Sequence, residues 1–570
     1  MVASSINRHF VPKDFVPSDV SQITPLYQIL IDREIKSAAD LEQWILDFSE
    51  LTSAIDEYGS RRYIDKSCHT DDKEIETRYL QFVEEVEPKI KPLYFAMQKK
   101  YLNNPFRNKL QKKSYSILEK KWAADVELFR EENIPLETEA TRLNNDYDKI
   151  SGSMTVTFEG KERTMQQMAR YQEQIDRAIR QQAWEASAGR RLTDREKIDD
   201  VFEQLLTLRA KISANANLPD YRSFIWKSYK RFDYTPEQCL TFADAIATSV
   251  VPLVRELDRQ RKVDLKIDKL RPWDAAVDPQ NRAPLVPFKE NEIAEFVEKT
   301  RIIFSRMSPE LADDFDLLRQ RNNLDLESRK GKQPGGYQMS LEESRQPFIF
   351  MNAAGLQRDV ETLLHEGGHA FHCLAAAGED IVFLRSAPME FCEVASMSME
   401  LLGADHFDVF YSDADAARAK RNLIEGIIRF LPWMATIDSF QHWLYSHPNH
   451  TREQRTTFWI SLLDRFGGET DWTGYEAIRA SSWQRQLHLF HAPFYYIEYG
   501  IAQLGALQLW MKSRQDPQGA LSNYRAALAL GGTKPLPELF AAAGIQFDFS
   551  AKTLLPLMDA MRDELTRLPR

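Results

Sequence analysis

The sequence is poor in the features that would place it outside the cell, in a membrane or on nucleic acid. Only four of its 570 residues are cysteine, Cys68, Cys239, Cys373 and Cys392, and none of them shares a C-x-x-C spacing. That excludes a disulfide framework and fits a reducing compartment. No uninterrupted apolar run approaches the roughly 20 residues of a membrane span. The start of the chain, Met1 to Arg8, lacks the apolar core of a secretory signal. Positive charge is not in excess: 74 Lys and Arg stand against 85 Asp and Glu, a net charge of -11. This argues against nucleic acid or an anionic membrane surface as the main partner. Repeats and low-complexity tracts are missing too. The expectation is a soluble cytoplasmic protein, and with 43% hydrophobic residues it can bury a large core.

What is there is mostly helical patterning. Ile198, Val201, Phe202, Leu205, Leu208 and Ile212 recur at three- and four-residue steps, with Thr193 and Glu196 as a capping-box start. Similar patterns cover much of Leu41 to Asn144. Strand signals are few. Met154 to Phe158 alternates and meets Glu159-Gly160, which predicts a hairpin. The apolar run Pro347 to Asn352 predicts a second strand. The Gly- and Lys-rich stretch Lys330 to Gly336 reads as a mobile loop, and Asp264 to Pro287 as an exposed connection.

The most specific local signal is His365-Glu366-Gly367-Gly368-His369, an H-E-x-x-H array. On a helix, begun after the turn at Gly355 and capped by Asp359, both imidazoles project from one face a turn apart. They can share one metal ion, with Glu366 beside the open coordination position as a general base. Two adjacent glycines cost a helix about 1 kcal/mol each, so the close approach of another backbone or of a substrate, or simple tight packing, is expected there. His372 shares the same face but is expected behind the ligands rather than among them.

A catalytic zinc keeps a third protein ligand. The metzincin spacing would place glycine and histidine where this chain has His372 and Ala375. The thermolysin-like spacing would place glutamate where it has Pro388. The remaining acids are Glu379, Glu390, Glu393 and Glu400. The last three lie on a helix predicted from Met389 to Leu402, where Glu393 and Glu400 share a face with Met397 among small and apolar neighbours. A carboxylate buried there needs a partner or a metal, which favours Glu393, with Glu390 next. Farther on, His488 to Gly500 gathers two histidines and three tyrosines within its first twelve residues, and Tyr496 and Tyr499 face the same way on a helix begun after Pro493. Such groups suit stabilisation of an oxyanion.

The stretch Met351-Asn352-Ala353-Ala354-Gly355 through His372, followed by Phe391-Cys392-Glu393-Val394-Ala395-Ser396-Met397, resembles the oligoendopeptidase F branch of the thimet oligopeptidase family. Arg231 to Pro236 and Leu530 to Pro535 are similar to family segments as well. The resemblance implies a mainly α, two-lobed zincin-like peptidase with a deep central cleft and a small β-sheet beside the H-E-x-x-H helix. It implies one Zn2+ held by His365, His369 and Glu393, with Glu366 as base. It also implies that Tyr496, Tyr499 and a histidine, His488 before His491, assist at the intermediate or the substrate. Residues 1–195 are expected to form an N-terminal helical lobe and 196–570 the catalytic lobe. The substrates expected are short peptides cut at internal bonds. One alternative is a zinc carboxypeptidase or dipeptidase, for which Arg385 is a loose candidate to hold a terminal carboxylate. The other is a peptide-binding protein without catalysis.

Overall fold

The structure, a computed structural model, describes residues 8–289 and 292–570. Helices dominate it, and the described strands form two small sheets, as the sparse strand signals led one to expect. The chain divides into two units interleaved in sequence. One comprises the residues up to Glu127, Leu285–Lys420 and Ala502–Phe547; the other comprises Leu128–Pro284, Arg421–Ile501 and Asp548–Arg570.

In the first unit, the helix Ala38–Cys68 starts at Ser37, whose hydroxyl accepts the amide of Asp40 at 3.1 Å. It buries Trp44, Phe48 and Leu51 against Trp122 and Leu384. Its last turns place Ile64 and Cys68 on Leu341, Phe348 and Phe350 of a three-stranded sheet. That sheet is built from β3 (Leu324–Glu327), β4 (Tyr337–Leu341) and β5 (Gln346–Ala353) in the order β3-β5-β4. The pair β3 and β5 is parallel, and β4 and β5 are antiparallel. Pro347 to Met351 are all buried. Cover on both faces explains why β5 reads as a continuous apolar run instead of an alternating one.

The stretch Lys330 to Gly336 is a loop, but a tethered one, contrary to the mobility expected of it. Lys332 Nζ reaches Asp325 Oδ1 (2.8 Å) and the carbonyls of Asp325, Glu327 and Met351 (3.0, 2.8 and 2.5 Å). Asn352 Nδ2 donates to the carbonyls of Gln333 and Gly335. Glycine and lysine suggested freedom; the buried ammonium supplies the opposite.

The second unit holds the expected hairpin, β1 (Thr155–Phe158) and β2 (Lys161–Thr164), with Glu159 and Gly160 at φ 51° and 72°. Two left-handed residues suit a tight two-residue connection. The expected capping box at Thr193 is not formed. Thr193 ends the preceding helix, and its hydroxyl donates to the carbonyl of Gly189 at 3.2 Å. The next helix, Arg195–Asn215, starts at Asp194, whose carboxylate is held by Arg190 and Lys197. Its apolar stripe is buried as expected except for half-buried Leu208. The Asp264 to Pro287 tract is also less exposed than its composition suggested. Trp273 and Val277 are buried, and buried Asp274 pairs with Arg177 and Arg180.

Candidate metal centre

β5 passes through a turn at Gly355 (φ 82°) into the helix Gln357–Ala375. Asp359 caps this helix from its first turn, its carboxylate accepting the amides of Ala354 (2.7 Å) and Leu356 (2.9 Å). Across from it lies the helix Met389–Gly403. The glycine pair has a steric reason. A Cβ on Gly368 would stand 2.6 Å from the carbonyl oxygen of Ala395 and from Cα of Ser396, and one on Gly367 would stand 2.8 Å from Cζ of Phe304. The two helices therefore meet backbone to backbone at Gly368. Tyr524 donates to the same Ala395 carbonyl at 2.9 Å. Gly368→Ala must push the helices apart, at a cost of about 1–3 kcal/mol. A thermal melt should show that loss together with weaker metal binding; unchanged values for both would contradict the contact.

This approach brings Glu393 to the two histidines. Its Oε2 is 3.5 Å from Nε2 of His365 and 3.7 Å from Nε2 of His369. One ligand atom from each of the three lies within 4.8 Å of the others. Two ligands about 2.1 Å from a tetrahedral metal stand about 3.4 Å apart, so the spacing fits a bound ion. Two imidazoles and one carboxylate also form a three-ligand set that leaves a position for substrate chemistry. Burial, with the charges of His365 and His372, holds His369 well below the usual histidine range and so in the neutral form that metal ligation requires.

Glu366 is buried beside this trio and accepts a hydrogen bond from the backbone of Gln338 on β4. Burial pushes its carboxyl up to about 7, against the opposing charge of His365. Glu390 is also buried but is not one of the three converging ligands, and Glu379 is half-buried, accepting the amide of Ile381. His372 is buried behind the trio with its ring 6.2 Å from Phe391.

Glu400 has a role that sequence reasoning left undefined. Its Oε1 lies 2.6 Å from Nδ1 of His365. Burial alone would lower His365, but the hydrogen bond and charge of Glu400 outweigh it and raise it to about 9. A carboxylate on the far ring nitrogen fixes tautomer and ring orientation in metal-ligating histidines. The signal in the sequence was the seven-residue step from Glu393 to Glu400, two turns along one face. Glu400→Gln should weaken metal affinity by about 10- to 100-fold, read by competition with a chelator; unaltered affinity would make the contact incidental.

A cavity of about 250 Å³ adjoins His369 and Glu393, with Gln338, His372, Cys373 and Arg385 in its wall. Arg385 is already engaged, donating to the carbonyls of Glu379 (2.8 Å) and Glu342 (2.5 Å) and to the Glu342 carboxylate (3.1 Å).

In the second unit the aromatic segment is pinned from behind. Buried Arg209 donates to the carbonyls of Leu489 and Phe490, and buried Arg231 to the carbonyl of Phe494 (2.6 Å) and the Glu498 carboxylate (2.8 Å). His488 packs among the tyrosines, tilted 4.9 Å from the ring of Tyr496 and edge-on 5.9 Å from that of Tyr499, which are 5.7 Å apart. Burial, then the charge of His491, lowers His488, and burial raises Tyr496 to about 12. His491 instead pairs with Asp148 at 2.9 Å.

Peptidase family M3 matches residues 170–557, and the Peptidase M3 N-terminal domain matches 10–129. The chain belongs to peptidase family M3. An oligoendopeptidase F homolog of Mycoplasma pneumoniae is 23% identical over 332 residues, 55% of this chain and 52% of the relative. A second such homolog, from Borreliella burgdorferi, is 23% identical over 223 residues, 38% of this chain and 37% of the relative. The matched part thus spans about half or less of the curated relatives. Among solved structures, PZ peptidase A with an inhibitor superposes with a TM-score of 0.88 at 26% identity, covering 98% of this chain and 99% of that one. Oligoendopeptidase-F of Enterococcus faecium shares the fold at a TM-score of 0.57 and 14% identity, with 96% of each chain covered. The branch of the family suggested by the motif segments is the one these relatives carry. Among the described residues no helix is long and apolar enough to cross a membrane.

Proposed function

We propose that this M3-family chain is a zinc-dependent oligopeptidase that cleaves internal bonds of short peptides in the cytoplasm. The observation that carries the reading is the convergence of His365, His369 and Glu393 at metal-ligand spacing with Glu366 buried beside them. Zinc bound there supplies a Lewis acid for the scissile carbonyl and a more acidic water. Glu366 takes the proton of the attacking water and passes it to the leaving amine nitrogen. Glu400 orients His365, and Gln338 orients Glu366 through its backbone. By family resemblance, Tyr496, Tyr499 and His488 act on the oxyanion or the substrate backbone.

The engagement of Arg385 favours internal cleavage over a carboxypeptidase. A receptor for a terminal carboxylate needs an uncommitted cation, and Arg385 is bound to Glu342 and two backbone carbonyls. The test is digestion of a mixed pool of short peptides by the zinc-loaded protein, with products read by mass spectrometry. Internal cuts are expected. Cuts confined to chain ends would support the exopeptidase, and no cuts by a folded, metal-replete sample would support a peptide-binding protein. In the same assay Glu393→Ala should lose both zinc and cleavage; full metal content would transfer the ligand role to another acid.

A further inference from the structure

The second unit contains another group of metal-type side chains, and none of them belongs to the centre described above. Cys239 comes from the helix Pro236–Ser249, and Asp438 and His442 sit one turn apart on the helix Asp413–Ser446. One ligand atom from each lies within 4.8 Å of the others. The three residues are 1, 1 and 3% exposed. Asp438 and His442 repeat the i, i+4 spacing that lets two side chains of one helical face reach a common point.

What sets this group apart from an ordinary buried ion pair is its unsatisfied polarity. Among the described residues, both carboxylate oxygens of Asp438 and both ring nitrogens of His442 lack a hydrogen-bond partner. Asp438 Oδ2 and His442 Nε2 are 3.2 Å apart, but not in hydrogen-bonding alignment. The imidazole is walled by Trp226 and Phe494, with ring centroids at 5.7 and 5.2 Å. Leaving such groups unpaired in an apolar setting is unfavourable, and buried charges are as a rule paired or metal-bound. A rotated Asp438–His442 pair would satisfy one oxygen and one nitrogen and leave the other two unpaired. A cation engages the carboxylate, the imidazole and the thiolate together.

We propose that Cys239, Asp438 and His442 form a second metal site, which binds a zinc-class divalent cation and ties the helix Pro236–Ser249 to the helix Asp413–Ser446. Sulfur and imidazole donors select this class over magnesium or calcium. Binding releases the thiol proton of Cys239 to solvent, since the thiolate is the ligand. Burial of all three ligands suits a structural ion.

The catalytic trio contains no sulfur, so sulfur reports on this site independently of the peptidase reading. The full chain would be loaded with zinc for X-ray absorption and with cobalt for optical spectra. The expected result is a sulfur scatterer about 2.3 Å from zinc and a thiolate-to-cobalt charge-transfer band. Cys239→Ser should abolish both and release one metal equivalent while leaving peptide cleavage in place. A Cys68→Ser/Cys373→Ser/Cys392→Ser triple variant, which leaves Cys239 as the chain's single thiol, should keep both. If Cys239→Ser does not fold, the triple variant decides alone. Wild-type protein without a sulfur signal, or a signal that survives Cys239→Ser or disappears in the triple variant, would overturn the proposal.

Discussion

Glu366→Gln is expected to keep its zinc and lower kcat by about 10²–10⁴. The substitution preserves shape and leaves an amide oxygen to accept the hydrogen bond from the Gln338 backbone, so the local packing has no reason to change. On the proposed mechanism, what disappears is the capacity to hold a proton between the attacking water and the departing amine. The loss should fall on kcat and kcat/KM alike, because the transfer happens in the transition state. Metal analysis beside the kinetics separates the readings. A slow, zinc-replete variant supports the base, an equally fast one removes Glu366 from the chemistry, and a slow, zinc-poor one makes it a residue that shapes the metal site.

Tyr499→Phe is expected to lower kcat by about 10²–10³ if the phenol donates to the developing oxyanion. The ring of Tyr499 lies 5.4 Å from that of Tyr495 and 5.7 Å from that of Tyr496. Phenylalanine keeps those contacts and deletes only the hydroxyl, so stability should hold while turnover falls. A packing residue would behave differently: wild-type kcat would return Tyr499 to that role. Tyr496→Phe makes the companion measurement, and comparison of the two shows which hydroxyl carries more of the effect.

How far the sequence alone could reach depended on the distance over which each feature is determined. His365 and His369 were legible because a helix converts a four-residue step into a shared face, with no knowledge of the rest of the fold. The hairpin at Glu159-Gly160 was legible for the same reason. Gly367 and Gly368 could be flagged as unexplained by propensity, but that Gly368 meets Ala395 is a tertiary fact. The hydrogen bond from His365 Nδ1 to the Glu400 carboxylate also depends on two helices lying side by side. Local rules failed outright at Thr193, where tethering by Arg190 and Lys197 makes Asp194 the helix start, and at Lys332, where four oxygens hold a residue usually found in solvent. In each case a partner distant in sequence or a competing polar group outweighed the local preference.

The contact at Gly368 also bears on how this centre can vary. Distances between helices packed through side chains drift with the size of those side chains, typically over 8–10 Å between axes. Here one helix rests directly on the peptide backbone of its neighbour, so the contact serves as a mechanical datum from which the ligand spacing is measured. The apolar residues behind it, Leu363, Leu364 and Phe371 on one helix and Val394 and Leu401 on the other, are then free to exchange shape and volume without detuning the three ligands. Substitution in this core should therefore alter stability well before it alters the metal geometry, leaving a single hydrogen atom on Gly368 as the least replaceable part of the scaffold.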